Sequence, residues 1–326
     1  MAKHFILFLC FVAIITSCNA NIDNIFGTPA LEWTRLKDGH KEQSVEKTVY
    51  EEFFGQGNSL RLNQSMCIWH NNVFCFNHGN ECKVLSLGSK EWQLSDPLPE
   101  QSHNNNAQFL NSFYNYQDKY PLLLVSRGDY PPNQNCAYIM RVTEENNRFS
   151  FLITKKIDNT IQEAQYNGSW VIDQEHGRLF LYTMTADDYR VRDNNYFCIF
   201  SFILPNILDS KDITLTYDDV LEKWEYEYLV LQGGTYYNGY LLFNVQSLNS
   251  IDGHGLLSAK NVLAINASNG KIEAVLPLFE NNETEGICVY DNKLYISFKN
   301  GQKNQEETNK VFSLIEYTLP SFITKK

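Results

Sequence analysis

Pairs of apolar segments, each pair joined by a turn that contains Asn, Gly or Lys, recur along most of the 326-residue chain. Five pairs are found, with turns near residues 71, 118, 176, 238 and 292. In several second segments, such as residues 122–125 and 241–243, apolar side chains follow one another without the polar alternation of a half-exposed strand. The pattern therefore predicts β-hairpins that are covered on both faces.

Two further extended segments follow most of these hairpins. Residues 137–142 and 149–153 follow the second hairpin, and residues 262–265 and 272–275 follow the fourth. Units of four strands that repeat at about 50 to 60 residues are typical of a β-propeller, in which neighbouring blades cover both faces of each sheet. The sequence thus predicts an all-β fold, a β-propeller with four antiparallel strands per blade. Five blades are expected, and six remain open.

The fifth unit lacks a strand of its own. Residues 311–319 supply its third strand, and the chain then nearly ends. Residues 31–54 are the candidate for the missing strand, with residues 33–36 as one contributor. Apolar side chains recur at every fourth position from Val45 to Phe53, so a short helix there is as well supported as a strand.

The rest of the chain suggests little helix and no division into domains. Helix is predicted only at residues 205–210, with a turn at 219–224. The polar insert at residues 302–309 is short enough to be a hairpin loop. The predicted organisation is a signal peptide at 1–17, a tether at 18–30, a single propeller domain at 31–320 and a tail at 321–326.

The N-terminal segment has the pattern of an export signal. Its apolar run, residues 5–15, spans about eleven residues, which is too short to cross a bilayer as a helix. Residues 15–17 and Cys18 resemble the lipobox of bacterial lipoproteins, with Cys18 as the lipidated residue. Asn19 after the cysteine is compatible with an outer-membrane destination. The alternative is plain secretion, to the periplasm or beyond, with cleavage after Ala20.

Charge and motif content narrow the possible functions. The chain carries 27 basic and 38 acidic residues, for a net charge of −11. A nucleic-acid-binding protein needs a basic face, and only the pairs at 155–156 and 325–326 stand out here, so no nucleic acid is expected as a partner. No nucleophile elbow, zinc-protease helix or phosphate-binding glycine loop occurs. We expect no cofactor, no metal, a monomer, and membrane contact only through a lipid on Cys18.

Six cysteines remain after the signal segment, and most lie in apolar runs where a thiol acts as a small buried side chain. They are Cys67, Cys75, Cys82, Cys136, Cys198 and Cys288. Free core thiols are the favoured interpretation. The first pair to test for a disulfide is Cys67 with Cys75, which a three-residue turn would set opposite each other and a two-residue turn would place on opposite faces.

Four residues are candidates for ligand binding. His103 and Asn105 precede a strand of the second blade, and Glu285 holds the corresponding place in the fifth. Side chains at the beginning of an inner strand are expected at the mouth of the central channel, where an imidazole and a carboxylate can act as acid and base. Arg127 suits an acidic or hydroxylated ligand. The alternative for the His-Asn stretch is ordinary turn capping.

Two stretches carry a resemblance to a known family. Residues 285–298 resemble a blade hairpin found in several bacterial propellers. Residues 103–109 together with 120–126 are similar to uncharacterised Bacteroidetes-type β-propeller lipoproteins. The resemblance implies a propeller fold and a lipid-anchored position in the cell envelope. It assigns no catalytic residues, since fold does not supply function.

These observations favour an exported, non-catalytic module that binds a glycan, a peptide or a protein partner. The alternative is an extracytoplasmic lyase or hydrolase that acts on a glycan through His103, Glu285 and Arg127. The two hypotheses differ in whether these side chains converge around an open pocket.

Overall fold

The chain forms a ring of four-stranded antiparallel sheets. The computed structural model describes residues 31–53, 63–100, 102–128, 135–164, 166–184, 196–209, 211–227, 229–247, 260–278, 283–299 and 310–325. The strands in chain order are β1 (Glu32–Arg35), β2 (Lys41–Gln43), β3 (Glu46–Phe53), β4 (Asn63–Trp69), β5 (Asn72–Gly79), β6 (Cys82–Ser86), β7 (Trp92–Ser95), β8 (Ser102–His103), β9 (Asn106–Phe109), β10 (Leu123–Gly128), β11 (Asn135–Glu145), β12 (Arg148–Asn159), β13 (Tyr166–Asp173), β14 (Arg178–Met184), β15 (Tyr196–Ile203), β16 (Ile213–Leu215), β17 (Glu222–Glu227), β18 (Leu229–Tyr237), β19 (Tyr240–Ser247), β20 (Lys260–Asn266), β21 (Ile272–Leu278), β22 (Glu283–Tyr290), β23 (Lys293–Lys299) and β24 (Lys310–Thr318).

These strands make five blades in the part of the chain that the structure describes. Blade one is β4–β7, blade two β9–β12, blade three β13, β14, β15 and β17, blade four β18–β21, and blade five β22–β24 with β3. The inner strands β4, β9, β13, β18 and β22 contact one another in that order, and β22 contacts β4 again. This closed cycle confirms the predicted propeller and the count of five blades rather than six.

The fourth strand of blade five comes from the N-terminal side of the chain. β3 pairs antiparallel with β24, with Glu46 opposite Tyr317 and Phe53 opposite Lys310. The helix considered for this segment is therefore wrong, because β24 would otherwise present an unpaired edge of backbone groups. Trp33 lies instead in β1, which extends blade four by pairing with β21. Its buried indole Nε1–H donates to the Thr318 carbonyl at 3.2 Å.

The predicted helix at residues 205–210 is also wrong over its described part, since residues 205–209 form irregular structure with one turn. The Asn206 side chain accepts the backbone N–H of Leu208 at 3.1 Å, and such local bonds compete with a helix. At 217–219 a single 3-10 turn precedes β17, so the second half of the turn predicted at 219–224 is strand.

The end of the chain is held against the N-terminal strands. Residues Ser321–Thr324 form a short helix, α1. Glu42 of β2 accepts the backbone N–H of Ser321 at 2.6 Å. None of the described helices is both long and apolar enough to span a membrane. Cys18 and the polar insert at 302–309 lie outside the described residues.

The apolar side chains fill the spaces between neighbouring blades. For example, Leu124 of blade two and Trp170 of blade three belong to one buried cluster, whereas Phe180 of blade three and Phe243 of blade four belong to another. Both faces of the inner hairpins are therefore covered, as the uninterrupted apolar runs predicted.

The six described cysteines are free and buried, as expected. Cys67 pairs with Phe74 and Cys75 with Met66, so the two thiols point to opposite faces of the sheet. The cause is the two-residue turn at His70 and Asn71, whose φ angles are 46° and 62°. Positive φ at both positions is the geometry of a tight hairpin turn that matches the strand twist.

Glu52 gives the fold a pH-dependent weakness. Its carboxyl is fully buried between blades five and one, and burial raises its pKa to about 7, although Lys83 and Trp92 lower it in part. The folded chain therefore binds this proton more tightly than the unfolded chain, whose glutamates have a pKa of about 4.3. Its contribution to stability is fully present below that value and is lost as the pH rises through about 7.

We expect Glu52→Gln to raise the free energy of unfolding by about 2 kcal/mol at pH 8 and to change it little near pH 4. Denaturant unfolding at the two pH values measures the difference. Glu51→Gln is the matched control, because Glu51 directly precedes Glu52 in β3 and pairs with Lys310. An equal gain at both pH values would show that the buried charge is not the cause.

Candidate functional site

The inner strands of all five blades end around one cavity of about 320 Å³, here called the axial pocket. The residues that line it are Cys67, Ile68, Trp69, Gln108, Phe109, Asn111, Ile172, Gln174, Glu175, Thr235, Tyr236, Tyr237, Asn238, Cys288, Val289 and Tyr290. Because every blade contributes to it, its position is fixed by the ring as a whole rather than by one loop.

The ring leaves room at the strand ends because the strand beginnings are tightly packed. The inner strands of blades one, three, four and five each carry a bulge or register shift near their beginning. A Cβ on Gly233 would lie 2.5 Å from the Glu285 carbonyl oxygen, and one on Gly286 would lie 2.5 Å from the Met66 nitrogen. Neighbouring backbones thus approach as closely as glycine allows.

Two side-chain amides of β9 fasten blade two to blade three. Asn106 donates from Nδ2 to the Trp170 carbonyl at 2.9 Å, and its Oδ1 accepts the N–H of Gly234 in blade four at 3.2 Å. Gln108 donates to the Ile172 carbonyl at 2.8 Å and accepts the Ile172 N–H at 3.0 Å. The residue predicted from the sequence was the neighbouring Asn105. The two-residue spacing of Asn106 and Gln108, which places both on one face of the strand, is the signal that identifies them.

Aromatic rings make up much of the pocket wall. Trp69, Phe109, Tyr237 and Tyr290 are the last residues of β4, β9, β18 and β22. The Trp69 and Phe109 ring centroids are 6.0 Å apart, and Phe113 packs edge-on against Trp69 at 6.2 Å. Aromatic side chains at this position offer broad apolar faces with polar edges.

Blade three supplies a polar wall instead of an aromatic one. Its Glu175 accepts a hydrogen bond at 3.2 Å from the hydroxyl of Tyr236 in blade four, and this hydroxyl lies 3.1 Å from His176 Nδ1. His176 Nδ1 is 2.9 Å from the carboxylate of Asp173, which is 2 % exposed. Burial, with the Asp173 and Glu175 carboxylates beside it, raises the pKa of Tyr236, so its phenol stays protonated and able to donate.

Among the described residues, these acidic and histidine side chains form the one cluster with enough ligand atoms to hold a metal ion. Ligand atoms of Asp173, Glu175 and His176 lie within 4.8 Å of one another. The bonds of His176 to Asp173, and of the Tyr236 hydroxyl to Glu175 and His176, connect them into a rim at the edge of the pocket.

Two thiols also line the pocket. Burial raises the pKa of both Cys67 and Cys288. A thiol is nucleophilic only as the thiolate, so neither cysteine is activated for covalent chemistry in this environment.

Several solved structures share features of this architecture. The PQQ-bound aldose sugar dehydrogenase of Streptomyces coelicolor is 8% identical over 84% of this chain and 98% of that chain, with a TM-score of 0.41. Glutaminyl cyclase of Myxococcus xanthus is 10% identical over 85% and 98%, with a TM-score of 0.44. Hydrazine synthase of Kuenenia stuttgartiensis is 12% identical over 75% and 76%, with a TM-score of 0.40. Likenesses this distant carry no argument about ligand or reaction.

Sequence comparison adds nothing to these. No protein-family model matches the chain, and no curated protein matches it.

The four predicted ligand residues do not line the axial pocket. His103 lies in β8 next to His78 of β5, with ring centroids 4.9 Å apart, and its Nε2 is bonded to Gln64. Asn105 lies against the backbone at Gly128, since a Cβ there would meet the amide nitrogen of Asn105. Both are near the beginning of the inner strands rather than their end.

Arg127 and Glu285 belong to two other places in the ring. Arg127, in β10, donates to the Tyr138 hydroxyl at 3.4 Å. Glu285, in β22, is buried with Lys299 Nζ at 3.4 Å, and burial raises its pKa well above the usual range. These contacts join neither residue to His103. A ligand-binding role for these four residues stays a prediction.

Proposed function

We propose that the protein is a non-catalytic binding module that holds the end of a glycan in the axial pocket. The observation that supports this is the convergence of aromatic rings and hydrogen-bonding side chains from all five blades on one cavity. Aromatic faces stack on the apolar face of a sugar ring, while amide, hydroxyl and carboxylate groups bind its hydroxyls. At about 320 Å³ the cavity is at the small end of ligand pockets, so it suits a chain end.

The chemistry of the lining supports binding in preference to the lyase or hydrolase hypothesis. That hypothesis depended on His103, Glu285 and Arg127, and none of the three lines the axial pocket. General acid–base catalysis needs its groups within hydrogen-bond reach of one substrate position.

An aromatic extension gives the rest of the glycan a surface to follow. The connection between β9 and β10 carries Phe113, Tyr114 and Tyr116, and Phe113 contacts Trp69 of the pocket. Tyr114 packs against the Arg141 guanidinium, and Tyr116 is 92 % exposed. A chain that leaves the pocket past Trp69 would meet these rings in succession.

A glycan array probed with the full chain tests the proposal, together with a Trp69→Ala variant. We expect binding to a defined set of glycans, and a loss of at least tenfold in affinity when the stacking ring is removed. Trp92→Ala is the matched control, because Trp92 is another half-buried tryptophan of blade one, bonded to Tyr50 and outside the axial pocket. It should lower stability and leave binding intact. Absence of any glycan binding, or equal loss in both variants, would contradict the proposal.

We also propose that the protein is exported and lipid-anchored to the cell envelope, at the outer membrane, through Cys18. The apolar run at residues 5–15 and the small residues before Cys18 support this. Mass spectrometry of the protein from a bacterial host should find an acylated N-terminus at Cys18. An unmodified chain that starts at Asn21 would instead favour plain secretion.

A further inference from the structure

The charge of the axial pocket has one sign. Among the described residues that line it, Glu175 carries the formal charge, and none is a lysine or an arginine. The carboxylate of Asp173 is connected to it through His176 and the Tyr236 hydroxyl. A cleft lined by one sign of charge concentrates ligands of the opposite sign.

Basic residues near the pocket mouth are paired with acids. Arg141 binds Asp118 at 2.6 Å, Lys119 binds Glu144, and Lys293 binds Glu316 at 2.9 Å. Opposite charges this close together largely cancel each other at longer range.

One further cation lies close to the rim. Lys325 follows helix α1, whose Ile323 carbonyl accepts from Asn238 at 3.2 Å, and its side chain is exposed to solvent. Lys325 is not among the residues that line the cavity, whereas Glu175 is, so the inner wall itself carries a negative charge.

The aromatic wall adds to this preference. Trp69, Tyr237 and Tyr290 present rings around the same cavity as the Glu175 carboxylate. The face of an aromatic ring attracts a cation, most strongly for tryptophan. The cavity thus combines a carboxylate with aromatic faces, and none of the described residues in its wall is a lysine or an arginine. This arrangement is complementary to an ammonium group.

We infer that the pocket recognises a sugar that bears a free amine, so that the glycan end is an amino sugar with its ammonium beside Glu175 and against the rings. This inference rests on the proposed glycan-binding function and specifies its ligand class. Sugars with a carboxylate are disfavoured, because they would face Glu175 with a like charge. An acetylated amine loses both the charge–charge and the cation–π attraction.

Calorimetry with three short oligosaccharides tests the inference at about pH 6, where an aliphatic amine is protonated. The probes are oligomers of glucosamine, of N-acetylglucosamine and of galacturonic acid. We expect the glucosamine oligomer to bind at least about tenfold more tightly than its acetylated form, and the galacturonic acid oligomer not to bind.

Glu175→Gln provides the second arm. Glu175 is exposed, so the fold should tolerate the change, and an unaltered thermal midpoint verifies this. We expect glucosamine affinity to fall about tenfold and to lose its dependence on salt, while affinity for the acetylated oligomer falls much less, because a glutamine amide can still bind a hydroxyl. The control is Glu100→Gln, in the exposed connection after β7.

The outcomes separate the two proposals. Equal or tighter binding of the acetylated oligomer, or a Glu175→Gln variant that keeps the preference for glucosamine, overturns the amino-sugar inference and leaves glycan binding in place. A neutral glycan that binds while glucosamine does not has the same consequence. Failure of every glycan on the array overturns the proposed function itself.

Discussion

A chain that begins at Phe54 is expected not to reach the native fold. It lacks β3, which supplies the full antiparallel partner of β24 from Glu46 to Phe53. It also lacks Trp33, which is fully buried and whose indole N–H donates to the Thr318 carbonyl. Blade five would keep three strands and an open edge beside blade one. The lost packing and pairing exceed about 5 kcal/mol, which is comparable to the whole stability of a domain.

Circular dichroism and thermal unfolding measure this effect. A chain that begins at Asn21 is the control and should unfold cooperatively. A peptide of residues 31–53, added to the truncated chain, should restore part of the cooperative transition, since the missing strand binds only the folded ring. A truncated chain that unfolds as cooperatively as the control would show that blade five is stable with three strands.

The hairpins were predictable because they depend on residues that are close together in the sequence. An inner hairpin covered on both faces needs consecutive apolar residues, and Leu122 to Val125 satisfies this without regard to distant partners. The closing strand was harder. β3 has four acidic or basic residues and only one fully buried side chain, Glu52, so its pattern reflects the partner strand β24 rather than a core face.

The position of the axial pocket was not predicted, because it depends on how neighbouring blades pack against each other. Ligand residues were expected at the beginnings of the inner strands, where His103, Asn105 and Glu285 are found. Bulges bring the backbones together there, and a bulge depends on how closely the next blade approaches. Such an approach leaves little trace in a single sequence beyond an isolated glycine such as Gly286.

One local signal does point to the observed pocket. Four of the five inner strands end on an aromatic residue: Trp69, Phe109, Tyr237 and Tyr290. Side chains at equivalent positions of a cyclic repeat must face the same axis, so recurrence of one residue class there indicates a shared surface. The exception, blade three, ends on Asp173 and provides the polar wall. The last residue of the inner strand in each repeat therefore indicates both the aromatic wall and the polar wall.

Gly286→Ala is expected to lower the free energy of unfolding by about 3 kcal/mol. The new Cβ would lie 2.5 Å from both the backbone nitrogen and the Cγ of Met66 in blade one, and 2.9 Å from Ser297 Oγ. The Met66 side chain can move, but its backbone is held in the β4–β5 ladder, so the two inner strands must separate. Denaturant unfolding of the variant measures the loss.

Gly88→Ala is the matched control, because a Cβ at Gly88 meets nothing closer than Ser86 Oγ at 3.9 Å. That change should be neutral or stabilising by a few tenths of a kcal/mol, since alanine restricts the unfolded chain. The difference between the two variants isolates the contact between blades from the conformational freedom of glycine. If Gly286→Ala were as stable as Gly88→Ala, the inner strands would not be in backbone contact at their beginnings. The tight packing that places the open space of the ring at the strand ends would then lose its basis.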